Sequence, residues 1–441
     1  MLVNAFVGGM VGLERTVVPL VGTEELGIPA GIVAFSFVLA FGVVKAVANL
    51  AAGVGADRLD RKRVLVAGWA VGLPVPFMLA WAPSWGWIVA ANVLLGLNQG
   101  LAWSMTVIMK IDLVGPRSRG LAMGLNEAAG YGAVGLTALL TGYVAATAGL
   151  RPEPFYVGIG YAVLGLALSV LLVRDTSAHA ALQGHLGDEA VGGGPEPASL
   201  RRVVAETSWR NRTLFGASQA GLVNNLNDAV SWTVFPVLFA SLGVGVADIG
   251  LIKAVYPVIW GVGQLATGAL ADLIGRKPLI VWGMVVQSAG LAVIGLQPSR
   301  PFLDGVLGST LLGIGTAMVY PALLATVSDA AHPAWRAGAV GVYRTWRDLG
   351  YAAGALLAGV VAAGLGLVWA LHVAGVLTLA SGLVAWRTMA ETLDVGAPPR
   401  SGGGRGGGDH QPAYAARPSD SARRGDPVRS SGVDPTSWLT V

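Results

Sequence analysis

Along most of this chain, apolar runs of membrane-spanning length alternate with short polar breaks. A helix rising about 1.5 Å per residue needs about 20 mostly apolar residues to cross a bilayer. That length predicts twelve spanning helices, at 1–21, 28–52, 64–82, 86–111, 120–147, 155–173, 213–241, 248–272, 279–297, 303–327, 338–364 and 367–387. Six precede and six follow a polar stretch at 174–212. This connector contains Gly192-Gly193-Gly194-Pro195 and ends in a basic amphipathic piece from Ser199 to Arg212, which predicts a flexible linker followed by a short surface helix. Past residue 391 a Gly/Arg run (Gly402 to Gly408) and many Ser, Pro and Asp residues cannot bury a core, so a disordered tail is expected.

Composition sharpens this reading. Hydrophobic residues make up 54% of the chain and charged residues 12%, where a soluble domain carries about 25%, so a water-exposed surface cannot be covered. The 64 glycines suit helices that approach one another closely in lipid. Without cysteine there is no disulfide, thiolate metal site or thiol nucleophile. The net charge of +4 does not imply a nucleic-acid partner, because the basic residues lie in short loops and a tail.

Alternate connections divide the cations unequally. One side holds Arg58, Arg61, Lys62, Arg63, Arg117, Arg119, Arg174, Arg201, Arg202, Arg210, Arg212, Arg276, Lys277 and Arg336; the other holds Arg151 and Arg300. The positive-inside rule makes the first side cytoplasmic, and an even number of spans then places both termini there, in a multi-pass protein of the cytoplasmic membrane. The first span starts almost at Met1 with no basic lead, so a cleavable signal peptide is not expected.

A charged loop occurs twice. Gly53-Val54-Gly55-Ala56-Asp57-Arg58-Leu59-Asp60-Arg61-Lys62 reappears as Gly268-Ala269-Leu270-Ala271-Asp272-Leu273-Ile274-Gly275-Arg276-Lys277, each copy between two apolar segments. In a second register, Leu94-Leu95-Gly96 matches Leu311-Leu312-Gly313, Asp112 matches Asp329, and Arg119 matches Arg336. The chain therefore reads as two equivalent halves, an arrangement that places a binding site at midplane between them.

This duplicated loop resembles the one between helices two and three, and again between helices eight and nine, of major facilitator superfamily transporters. The resemblance covers roughly residues 1–390. It implies an all-α membrane protein of twelve helices in two pseudo-symmetric six-helix bundles, at 1–173 and 213–390, with the linker at 174–212 and the tail at 391–441. It also implies a gating latch formed by Gly53, Asp57, Arg58, Arg61 and Lys62, with Gly268, Asp272, Gly275, Arg276 and Lys277 as the second copy. Arg61 is expected to pair with Asp112, and Arg276 with Asp329. In the first copy Gly55 replaces the usual Leu and Asp60 the usual Gly, which keeps the charges but alters the turn.

Ionisable residues inside spans are costly and mark function. Here they are Glu14 and Arg15 in helix one, Lys45 in helix two, Glu127 in helix five, Asp228 in helix seven, Lys253 in helix eight, and Arg344, Arg347 and Asp348 in helix eleven. In the fold that the resemblance implies, those helices surround a central cavity. Glu127, Asp228 and Asp348 are the proton-coupling candidates. Glu14, Arg15, Lys45, Asn98, Gln99, Asn126, Asn224, Asn227, Tyr320, Tyr343, Arg344 and Arg347 are candidates for the substrate cavity. Static alternatives stand beside these: Asp348 held by Arg344 or Arg347, Glu14 paired with Arg15, and Lys253 snorkelling to an interface. Helix five, from Gly124 to Gly135, resembles the glycine-rich helix of drug:proton antiporters, with Tyr131 where a proline is usual.

No catalytic cluster, metal site, cofactor motif or Walker loop is present; His332, His372 and His410 are scattered. The expectation is a monomeric, lipid-embedded secondary transporter, not an enzyme, that exports a small organic solute in exchange for protons. An importer of sugars or organic anions, using Lys45, Arg344 and Arg347, is the alternative within this class, and a transport-inactive sensor or assembly partner the alternative outside it.

Overall fold

A computed structural model of the protein describes residues 1–55, 60–113, 119–176, 199–296, 300–331 and 335–393. Twelve long helices account for most of them: α1 (Leu2–Glu25), α2 (Ala30–Gly55), α3 (Arg61–Ala80), α4 (Trp85–Lys110), α5 (Arg119–Ala148), α6 (Glu153–Leu171), α7 (Arg212–Ser241), α8 (Val246–Ile274), α9 (Arg276–Gly295), α10 (Pro301–Ala330), α11 (Arg336–Leu365) and α12 (Leu367–Thr388). No strand occurs among the described residues. The linker contributes a short helix, Leu200–Ala205, continued by a wider turn at Glu206–Arg210. The rest of the predicted linker (177–198) and the tail (394–441) lie outside the described residues.

Eleven of these helices are long and apolar enough to cross a membrane. The exception is α7, predicted as an apolar span. It has the length, 30 residues, but Asn224, Asn225, Asn227, Asp228, Ser231 and Thr233 dilute its apolar character, and all six are buried. A helix so polar is stable at membrane depth only where other helices, rather than lipid, cover it. The polar content of α7 thus follows from its central position.

Four interhelical packings organise the interior. α1 lies parallel to α5, with Asn4 donating to the Asn126 carbonyl and Thr16 to that of Ala138. α7 lies parallel to α11, where Gly350 and Gly354 pack on Leu222 and Leu226. α2 runs antiparallel to α11, with Gly42 against Ala352 near the middle and Gly31 against Ala363 at one end. α5 runs antiparallel to α8. At Gly142 a Cβ would lie 2.8 Å from the Gly250 Cα, so these two backbones meet at a distance only glycine allows. The first and second packings correspond when six is added to each helix number. The third and fourth correspond in the same way, with the numbering wrapping from twelve to one. Residues Met1–Leu393 form one compact unit.

Candidate functional site

Hydrogen bonds at the centre of the helices close into a ring. Trp103 on α4 donates Nε1–H to Glu127 Oε1 on α5 (3.1 Å), and the Tyr320 hydroxyl on α10 donates to Glu127 Oε2 (3.4 Å). Arg347 on α11 donates from Nη1 to the Tyr320 oxygen (2.6 Å) and from Nε and Nη2 to Asp348 Oδ1 (3.2 and 3.0 Å). Asp348 Oδ2 accepts from Asn49 on α2, whose Oδ1 accepts from Ser104 on α4 (2.7 Å), the neighbour of Trp103. Lys45 Nζ stands 4.0 Å from Asp348 Oδ1. The ring passes between the first and last six helices twice, at Glu127–Tyr320 and at Asn49–Asp348. Asp348 is fully buried, and Lys45, Glu127, Tyr320 and Arg347 nearly so.

A second cross-connection lies beside the ring. Both amino groups of the Arg15 guanidinium on α1 donate to the Asp228 carboxylate on α7, the Nη2 bond being 2.9 Å, and the Tyr351 hydroxyl donates to Asp228 Oδ2 at 2.7 Å. Arg15 also stacks over Trp232, 4.4 Å from the ring centre. Phe37 and Phe41 of α2 meet Trp232 edge-on, at 5.8 and 5.1 Å between centroids, so the ion pair sits against an aromatic cluster. Little water reaches this pair, which strengthens its attraction and raises the cost of leaving either partner alone.

The sequence-predicted residues do not all converge here. Glu14 does not pair with Arg15, whose guanidinium is taken by Asp228; the Glu14 carboxylate is fully buried and makes no hydrogen bond among the described residues. Asn98 and Gln99 stitch α4 to its neighbours, donating to the carbonyls of Gly68 (2.9 Å) and Val7 (2.8 Å). Asn224 and Asn227 form an amide chain with Gln287 on α9, and Thr378 on α12 donates to Asn227. Asn126 accepts from Lys110 and lies 3.3 Å from Glu127. Tyr343 packs its ring against Gly221, and Arg344 is half-buried. Lys253 does not snorkel. Its ammonium is buried and donates to the Ser231 carbonyl (2.6 Å) and hydroxyl (2.8 Å), because the facing turn of α7 offers both acceptors.

The duplicated loop is described best in its second copy. Arg276 bridges Asp272 (3.3 Å) and Asp329 (2.7 Å). In the first copy Asp57 and Arg58 lie outside the described residues, as does the Asp112 side chain; Gly53 falls in the last turn of α2 and Arg61 opens α3. The two copies cap the following helix differently. Asp60 accepts the Lys62 N–H at 3.0 Å through its own side chain. Its counterpart Gly275 has no side chain and a φ of 97°, so Glu391, beyond α12, accepts the Arg276 and Lys277 N–H groups at 3.0 and 3.1 Å. Burial opposes charge on Glu391, but the backbone donors of Leu393, Arg276, Lys277 and Thr392 prevail and hold its pKa below the usual 4.5. Asp175, 216 residues before Glu391, likewise accepts the Lys62 N–H, at 3.2 Å.

Tyr351, Asn49, Ser104 and Glu391 are among the residues that join these networks without having been predicted. Helical spacing holds part of the signal: Tyr351 follows Arg347 by four residues and Asn49 follows Lys45 by four, so each shares a face with a named cation. Asp175-Thr176 and Glu391-Thr392 also extend the repeat just past the ends of α6 and α12.

Known proteins share this architecture. The family model described as Major Facilitator Superfamily matches residues 1–224 and again 217–429. Inner membrane transport protein YnfM of Escherichia coli (strain K12) is 28% identical over 160 residues, 36% of this chain and 38% of that protein. Inner membrane transport protein YajR of the same organism is 33% identical over 126 residues, 28% of this chain and 25% of that protein. Each of these two matches thus spans well under half of the relative's length. An uncharacterized MFS-type transporter of Burkholderia mallei (strain SAVP1) is 26% identical over 81% of this chain and 83% of its own. Among solved structures, a D-xylose-proton symporter superposes with a TM-score of 0.69 at 17% identity, covering 89% of this chain and 98% of its own. The xylose transporter XylE from E. coli, in a partially occluded inward open conformation, gives 0.67 at 16% identity, with coverages of 89% and 98%. The repeated match, one per half, makes this chain a member of the major facilitator superfamily, a family of secondary transporters of small solutes.

Proposed function

We propose that this protein exports a small organic solute by alternating access in exchange for protons, and that Glu127 is the group that carries the proton. The environment of that carboxylate supports this reading. Asp228 is held by Arg15, and Asp348 by Arg347 with Lys45 nearby, so protonating either would leave a buried cation without its partner. The groups that hydrogen-bond to Glu127 are neutral: the Trp103 indole, the Tyr320 hydroxyl and the Asn126 amide. A carboxylate whose hydrogen-bond partners are neutral can take up a proton without leaving a buried cation unpaired. It also lies where the first and last six helices meet, so its access to water changes when they rock. In this reading the Arg276–Asp329 pair latches the cytoplasmic side, the side of the charged loops, and both termini are cytoplasmic in a monomeric transporter.

Flux in proteoliposomes under an imposed pH gradient tests the proposal. Wild-type flux should follow the gradient, and Glu127→Gln should still exchange solute for solute while losing its response to pH. Gradient-driven flux that survives Glu127→Gln would overturn the assignment.

A second reading rests on a different feature. Lys45 and Arg347 share one carboxylate, Asp348, which leaves local positive charge able to bind a substrate carboxylate or phosphate. Import of an organic anion would then be expected to disappear in Arg347→Ala, with flux of neutral solutes preserved.

A further inference from the structure

The linker helix carries a groove that the transport reading does not use. Leu200–Ala205 and the following turn, Glu206–Arg210, present two unlike faces. The inner face is tied to the body of the protein. Val203 is buried and lies over Gly338 of α11, the Trp346 indole donates to the Ser208 hydroxyl (2.9 Å), and Ser218 of α7 donates to the Thr207 carbonyl (3.2 Å). The outer face is open, and a groove of about 560 Å³ runs along it, lined by Leu200, Arg201, Val204, Ala205, Trp209 and Arg210. Leu200 and Trp209 are 67% and 61% exposed.

The groove combines an apolar floor with a cationic rim. Its floor is aliphatic and aromatic, and guanidinium groups stand at Arg201 and Arg210. The segment 199–212 carries four arginines (201, 202, 210 and 212) against one glutamate (206), a net +3. Glu206 is 3.9 Å from Arg210 and leaves most of that charge uncompensated. Arg212, at the end of this segment, is also the first residue of α7, which places the groove where a central helix leaves the membrane zone. Tryptophan and arginine are favoured at that level, since an indole suits the headgroup boundary and a guanidinium pairs with phosphate.

We propose that this groove binds one anionic phospholipid, with the headgroup phosphate held by Arg201 and Arg210 and the upper acyl chain laid over Leu200, Val204 and Trp209. Because the inner face grips α7 and α11, the bound lipid also braces the ends of these two helices. The site is independent of which solute is carried and of the direction of transport.

Delipidated full-length protein in detergent, titrated with phosphatidylglycerol or phosphatidylcholine and followed by native mass spectrometry, tests the site. Wild type should prefer phosphatidylglycerol. Arg201→Gln/Arg210→Gln should reduce that preference roughly 25-fold, at about fivefold for each arginine near a membrane surface. Arg201→Lys/Arg210→Lys should retain most of it, which separates lost charge from a damaged fold. Arg202→Gln, off the groove, should leave the preference intact. Trp209→Ala should weaken both lipids together. Equal binding of the two lipids by wild type, or an equal loss in Arg202→Gln and the double glutamine variant, would overturn the proposal. So would displacement of the lipid by millimolar inorganic phosphate, because the site would then be one for a free anion.

Discussion

Arg15 on α1 and Asp228 on α7 are 213 positions apart and meet in a two-pronged buried ion pair that joins the two halves of the chain. Both side chains are at most 2% exposed, so neither can turn to water when its partner is lost. Asp228→Ala or Arg15→Ala should each cost about 3–5 kcal/mol of stability. Arg15→Met/Asp228→Leu should recover much of that loss, because no buried charge remains. Unfolding of wild type, Arg15→Met, Asp228→Leu and Arg15→Met/Asp228→Leu in detergent forms a double-mutant cycle that measures the coupling.

Glu391 gives the protein a defined acid response. Its folded-state pKa lies below its ordinary value, so the stabilisation it provides is complete above pH of about 4.5 and is lost as pH falls through the lower folded value. Wild type should therefore lose stability on acidification below that point more steeply than Glu391→Gln. Thermal midpoints of the two proteins between pH 3 and 7 compare the slopes (a range of roughly one unit below to three above the usual carboxylate values). Parallel curves would remove Glu391 as a contributor.

Gln287 ties α9 to α7 through side-chain amides. It accepts from Asn227 at 2.8 Å and donates to Asn224 at 2.9 Å, all three side chains being buried. Gln287→Leu leaves two amides without that partner and should cost about 1–3 kcal/mol for each group left unsatisfied. Thr378→Val, which removes one donor to Asn227, should cost less. Chemical unfolding of both variants ranks them.

Gly142 and Gly250 set the approach of α5 to α8. Gly142→Val forces the two backbones apart and should cost about 1–3 kcal/mol. Since the chain has no cysteine, a pair introduced at Leu139 and Ala254 reports this directly. Cross-linking should be efficient with Gly142 and fall when valine replaces it. Unchanged cross-linking would show that α5 and α8 do not depend on this contact.

Several of these features are legible in the amino-acid sequence. Span length and the doubled loop point to paired six-helix halves, and the family match to each half agrees. The expected Arg276–Asp329 neighbours lie 2.7 Å apart. The polar run in α7 contains the same information in a less obvious form: Asn224, Asn225, Asn227 and Asp228 make it the least lipid-like helix, and it is covered by protein. By contrast, Glu14 and Arg15 are adjacent in sequence yet face different neighbours; both lie in the turn at 13–16 that interrupts the first span between Gly12 and Val17.

The sequence by itself determined what depends on local pattern: helix lengths, the internal duplication, and which helices carry ionisable groups. Only the tertiary structure decided the partners. Which cation meets Asp228, which carboxylate keeps neutral company, and which distant glutamate caps α9 depend on how helices far apart in sequence turn their faces toward one another. Apolar periodicity is a property of one helix, whereas an ion pair between helices depends on the packing of two backbones, and no single segment encodes that geometry.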